Sequence, residues 1–196
     1  NHEDQPVVFI GPYEHHSNEL PWRESRAQVV VIPLAKDGTL DCDRLEAELT
    51  RFASRSLKIG SFSAASNVTG VKTDTHRVAR LLHAHGAVSL WDYAAAAPYV
   101  AIDMNPAGDA LAAKDAVFIS PHKLVGGPGT PGILVVKRQL MTNAVPAMPG
   151  GGTVLYVNPQ DHTFIADPQR REEGGTPAIV EAIRAGLVFK LQQDVG

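Results

Sequence analysis

The sequence predicts an α/β protein, a three-layer αβα arrangement with a mainly parallel, mixed sheet. Two observations carry that expectation. Over the first two-thirds of the chain, short apolar runs alternate with stretches whose apolar residues recur at helical spacing, the pattern of strands joined by crossover helices. Three of the strand-like runs also lead into polar residues, and open α/β sheets bind ligands beyond the carboxyl ends of their strands.

Taken in order, Val7-Val8-Phe9-Ile10 is a first strand closed by Gly11-Pro12, and Gln28 to Leu34 is a second, with Lys36-Asp37-Gly38 as the turn after it. Asp41 offers an N-cap to a helix over 42–54 whose inward residues are Leu45, Leu49 and Phe52. Leu57 to Phe62 is the next strand, and it ends in the polar loop Ser66-Asn67-Val68-Thr69-Gly70. A helix over 74–85 follows, with Val78, Leu81 and Leu82 inward and Gly86 as its stop signal. Ala87 to Leu90 leads to Asp92, and Ala116 to Ile119 leads to Ser120, His122 and Lys123. Ile133 to Val136 is one more strand after the glycine-proline loop 126–132. The stretch 138–175, rich in Gly, Pro and charge, reads as linker or as ligand loops, and composition favours linker. Beyond it Ile179, Ile183, Leu187 and Leu191 recur at helical spacing, which predicts a last helix from Pro177 to Gln193 with Thr176-Pro177 as N-cap and first position.

Composition narrows the function classes. Of 196 residues 44% are hydrophobic and 20% charged, and 18 Lys+Arg against 21 Asp+Glu leave a formal net charge of −3. At that length one domain is the default, burying roughly 70% of its unfolded surface. A mildly acidic balance without a basic block gives no electrostatic footprint for nucleic acid or an anionic membrane. No apolar run is long enough for a membrane span, and the polar, acidic start is unlike a signal peptide, so a cytoplasmic location is expected. The single cysteine, Cys42, excludes an intrachain disulfide and any multi-cysteine metal centre. The chain opens without Met and almost directly on a strand, as a piece of something longer would.

The polar residues at the strand ends carry the chemistry. Lys123 alone reads as a surface charge, but Ser120 and His122 within three residues supply anion-binding donors, and Gly126-Gly127-Pro128-Gly129 lets backbone approach a ligand. In such surroundings a lysine amine can attack a carbonyl and form a Schiff base. Asp92 either caps the Ala94 to Ala97 segment or pairs with a cation such as a protonated pyridine nitrogen. The His15-His16 pair, adjacent and therefore divergent, lacks metal-ligand spacing, so no metal is expected; one imidazole stacked on a flat ligand fits better. His76, His83, His85 and His162 read as surface residues. Neither a P-loop, a GxGxxG turn nor a GxSxG elbow is present, which argues against phosphate-loop, dinucleotide and serine-hydrolase readings.

Six stretches in order resemble the fold-type I pyridoxal-phosphate enzymes, in particular class V aminotransferases of the cysteine desulfurase and selenocysteine lyase type. They are Glu14-His15-His16-Ser17-Asn18 with Pro21-Trp22, Ser66 to Gly70, Asp92-Tyr93-Ala94-Ala95, Ser120-Pro121-His122-Lys123-Leu124, Gly150-Gly151-Gly152-Thr153 and Gly175-Thr176-Pro177. By that resemblance Lys123 forms the internal aldimine with pyridoxal 5'-phosphate and later moves protons, and Asp92 pairs with the pyridinium nitrogen. His15 is then the imidazole stacked on the ring, Asn67 lies near the ring hydroxyl, and Ser120 and His122 hold the phosphate. The residue matching Thr176 reaches the cofactor of a neighbouring subunit, which implies a homodimer with shared sites acting on an amino acid. Ala95 departs from the usual Gln of desulfurases, and Cys42 does not match their persulfide cysteine. The family's N-terminal phosphate-loop segment and C-terminal small domain have no counterpart here. The expectation is therefore a single domain over 1–196, the central part of the family's large domain, belonging to an aminotransferase-like or desulfurase-like enzyme. A catalytically inactive module that only binds cofactor or a partner is the alternative.

Overall fold

The structure, a computed structural model, describes residues 5–195. Strands β1 (Val7–Ile10), β2 (Gln28–Val31), β3 (Lys58–Ser63), β4 (Val88–Asp92), β5 (Ala116–Ile119) and β6 (Ile133–Val136) form one sheet in the order β2-β1-β3-β4-β5-β6. The first five run parallel, and β6 returns antiparallel against β5. The sheet is thus mixed and mostly parallel, as the alternating pattern predicts, and the expected strands are all found within a few residues of their sequence bounds.

Side chains of β3 alternate between the two faces and show how the layers divide. Phe62 points to one face, where its ring lies 6.1 Å from that of Trp91 on β4. Two helices cover that face, α2 (Cys42–Arg51) and α3 (Thr75–Ala84). Leu45, Leu49, Val78 and Leu82 are all essentially buried there, together with Phe9 and Ile32. Burying each such side chain is worth about 1.5–3 kcal/mol. Asp41 and Asp74 cap the two helices through Arg44 N and Arg77 N at 2.9 and 3.0 Å, so each crossover starts where its strand connection ends. Ser61 and Ser63 point to the opposite face, toward α1 (His16–Arg23), a helix that the sequence pattern does not predict. Pro21 inside it and a polar composition hide its periodicity, and Asn18 is its one buried residue.

The stretch 138–175 is not the linker that its composition favours. It contains a two-stranded antiparallel ribbon, β7 (Val154–Val157) with β8 (His162–Phe164), followed by the short helix α4 (Pro168–Glu172). Arg171 holds this part together by donating to the carbonyl oxygens of Ile165, Ala166 and Asn143 at 2.9, 3.0 and 2.7 Å. A run of charge therefore hides one buried guanidinium that replaces an apolar core. Helix α5 (Ile179–Val195) then packs Ala185 and Val188 inward, and Gln192 donates to the carbonyl oxygens of Ala97 and Pro98. Among the described residues no helix is long and apolar enough to cross a membrane.

Candidate active site

The carboxyl ends of β3, β4 and β5 open into a cavity of about 730 Å³. Each of the three strands delivers its polar residues to that rim. His15, Asn67, Asp92, Ser120, His122 and Lys123 all line it, though they come from four separate stretches of sequence. Thr176 does not line it and is exposed.

Lys123 ends a single 3-10 turn, Pro121–Lys123, which directly follows β5. The turn is held by Lys123 N donating to Ser120 O at 3.0 Å and by Gly127 N donating to Leu124 O at 2.9 Å. Gly127 has to be glycine, because a Cβ there would lie 1.9 Å from the carbonyl oxygen of Pro121. Lys123 and His122 are exposed, Ser120 is half-buried, and their side chains make no hydrogen bond among the described residues. The side chain of Asn67, on the loop after β3, likewise makes no hydrogen bond among the described residues.

Asp92 closes β4, opposite Ser63 in the parallel register. The sequence leaves two roles open for it, and the geometry accommodates both. Its Oδ1 accepts from Ala94 N at 2.7 Å, the capping role, while Oδ2 carries no hydrogen bond among the described residues and the residue borders the cavity. His15 caps α1: its Nδ1 accepts from Ser17 N at 3.1 Å, which leaves the ring proton on Nε2. Among the described residues no three His, Cys, Asp or Glu side chains gather as a metal site.

Behind His15 lies a group that the sequence reading passes over. The Glu14 carboxylate accepts from Gly11 N and Ser63 N through Oε1 at 3.1 and 2.9 Å, and from Ser63 Oγ and Asn18 Nδ2 through Oε2 at 2.6 and 2.7 Å. Burial outweighs these four donors and holds its carboxyl above the usual range. The available signal was the pair Ser61 and Ser63, polar at period two on a strand that is otherwise buried.

The donor set fits a flat, anionic, ring-containing ligand. Lys123, Ser120, His122 and Asn67 have uncommitted polar groups facing one space, and the free Oδ2 of Asp92 offers a single anionic acceptor. Ala94, Ala95 and Phe118 supply apolar wall. Such a combination of apolar lining with a few convergent polar groups is the usual character of a small-molecule site.

The chain matches the family described as aminotransferase class-V over residues 2–196. It is 33% identical over 193 residues to a probable cysteine desulfurase of Halalkalibacterium halodurans, covering 96% of this chain and 45% of that protein. A probable cysteine desulfurase of Staphylococcus epidermidis is 36% identical over 193 residues, with 96% of this chain and 44% of that protein covered. Among solved structures, a cysteine desulfurase from Escherichia coli superposes with a TM-score of 0.81 at 29% identity, over 99% of this chain and 47% of that one. The chain therefore spans a little under half the length of the proteins it matches.

Proposed function

This chain belongs to the class V aminotransferase family, and from that membership we propose that it holds pyridoxal 5'-phosphate for an enzyme of the cysteine desulfurase kind that acts on an amino acid. The observation that carries this reading is the convergence of six polar side chains, four of them without hydrogen-bond partners among the described residues, on one cavity at the strand ends. When bound, the cofactor supplies an electron sink for charge developing at the amino acid's Cα.

The chain's own residues divide the work. Lys123 is the residue whose amine would link to the cofactor's aldehyde carbon; once released, the same amine is the base that takes the proton from the substrate Cα. Asp92 offers Oδ2 to the protonated ring nitrogen, and its Oδ1, fixed by Ala94 N, keeps that oxygen aimed. His15 lays its imidazole against the ring, and Asn67 serves the ring hydroxyl. Ser120 and His122 donate to the phosphate from the turn that also carries Lys123, so one short segment sets the spacing between phosphate and reactive carbon. Thr176, exposed and away from its own cavity, is read as serving the site of a second copy, in a cytoplasmic homodimer.

The visible spectrum tests the reading. The protein mixed with pyridoxal phosphate should gain a visible absorption band, and Lys123→Ala should abolish it. A band that never forms, or one that survives the substitution, sinks the assignment. The alternative of an inert module gains no support from the cavity's geometry.

A further inference from the structure

Helix α1 is poorly anchored by apolar contact. It has eight residues, contains Pro21, and leaves Leu20 exposed, with Asn18 as its one buried side chain. A helix of this kind is marginal without outside support. Yet its N-cap is His15, a residue whose placement the site depends on.

What holds it is polar. Glu14 joins three elements through four hydrogen bonds: the end of β1 through Gly11 N, the end of β3 through both donors of Ser63, and α1 itself through Asn18 Nδ2. Asn18 Oδ1 in turn accepts from Ser61 Oγ at 2.7 Å. Ser63 is fixed from the other side as well. Its carbonyl accepts from Thr73 Oγ1 at 2.7 Å, and Thr73 Oγ1, having spent its proton there, accepts from Tyr13 Oη at 2.7 Å. Every member of this network has its partner, the condition under which a buried polar cluster is rigid rather than costly. The backbone makes room for it: a Cβ on Gly11 would lie 2.5 Å from Glu14 Oε1. Because Ser63 pairs with Asp92 in the sheet ladder, the anchor of His15 sits in register with the strand end that carries Asp92.

We propose that Glu14 is a positioning residue, whose carboxylate sets the imidazole of His15 in one fixed relation to the ring site beside Asp92. This inference rests on the cofactor reading above, and it adds a residue that touches neither cofactor nor substrate. It requires that Glu14 act through His15 and not merely through stability.

The test uses the full-length protein with pyridoxal phosphate and reads two quantities besides turnover: the circular dichroism of the bound cofactor in the visible range, and its dissociation constant. Glu14→Gln should diminish the dichroic band and weaken cofactor binding by about tenfold or more, because small displacements of a positioned group cost up to about a hundredfold. In a His15→Ala background the same substitution should change neither quantity further, since the group it positions is gone. Asn18→Ala, which removes one of the four donors and leaves the charge, should move both quantities in the same direction by less. If Glu14→Gln fails to fold, Asn18→Ala alone and in the His15→Ala background carries the test. An unchanged dichroic band in a folded variant overturns the proposal, and so does a loss that simply adds to that of His15→Ala. A native protein that gives no Lys123-dependent band at all overturns the cofactor reading instead, so the two failures are told apart.

Discussion

At the scale of single residues, His83, expected from sequence to be a surface residue, has its side chain mostly buried at the amino end of the sheet, away from the cavity. Its Nδ1 lies 2.7 Å from the carbonyl oxygen of Leu111 and its Nε2 lies 2.9 Å from Asp115 Oδ2. Both neighbours are acceptors, so the surroundings favour the doubly protonated, cationic ring. The bond to Asp115 raises its pKa above the ordinary histidine value, against burial, which lowers it. Burial pushes Asp115 up, but His83, Ser89 N and Lys137 together hold it down at about 2. The signs follow from linkage. The histidine's contribution is complete below its ordinary pKa of about 6.5 and is lost as pH rises through its raised value. The aspartate's contribution is complete above about 4 and is lost as pH falls through about 2. His83→Gln should therefore lower Tm by about 6 °C near pH 5.5, equivalent to about 2 kcal/mol, and by much less at pH 9. Calorimetry at the two pH values decides it, and an equal loss at both would show that the ring is not held as a cation. Lys123, Asp92 and Asn67 stand out in the sequence because a polar residue after an apolar strand has no packing reason to be there, whereas Glu14 and His83 do not, because their partners lie far along the chain.

At the scale of elements, apolar spacing identifies α2, α3 and α5 as helices, because amphipathic or apolar periodicity survives whatever covers the helix. It says nothing of which side is covered. In α5 the row Ile179, Ile183, Leu187 and Leu191 faces solvent at 59%, 63%, 62% and 43% exposure, while the inward face is Ala185 and Val188. Val188 on that face lies against the loop that carries Gly126, and Phe189 beside it packs partly buried against the core. A paired substitution separates the two kinds of helix. Leu82→Ala in α3, where the side chain is fully buried, should cost about 2–5 kcal/mol in chemical denaturation. Leu187→Gln in α5 should stay within about 0.5 kcal/mol and should reduce self-association measured by sedimentation. Equal costs for the two would mean that α5 is covered within its own chain. The ribbon and α4 escape sequence reading for the opposite reason: Arg171 and backbone carbonyls do the work that apolar periodicity would otherwise announce.

At the scale of the whole molecule, the parallel run of the first five strands follows from alternation of strand and helix, but their order and the reversal of β6 do not. A return against β5 is written only in the glycines between β5 and β6, which could equally serve a ligand; in the structure their loop makes the return, and Gly132 of it lines the cavity. The proposed sharing of sites between copies makes a prediction at this scale. Thr176→Val alone should weaken cofactor binding by about tenfold, the order expected for losing one hydrogen bond to a charged group. Mixing it with Lys123→Ala after mild unfolding and refolding should recover native-affinity sites, since a hybrid pairs an intact Lys123 with an intact Thr176. If Thr176 serves its own chain, mixing recovers none. The reversal of β6 also bears on how the chain finds its fold. Of the sheet's pairings, β5 with β6 encloses the shortest excursion of chain, Ile119 meeting Ile133 across a loop that needs no crossover helix. Its closure entropy is accordingly the smallest in the sheet, and contacts so local in sequence are the kind that form fastest. The segment that carries Lys123 is thus the part of the sheet with the least chain to organise before it can assemble.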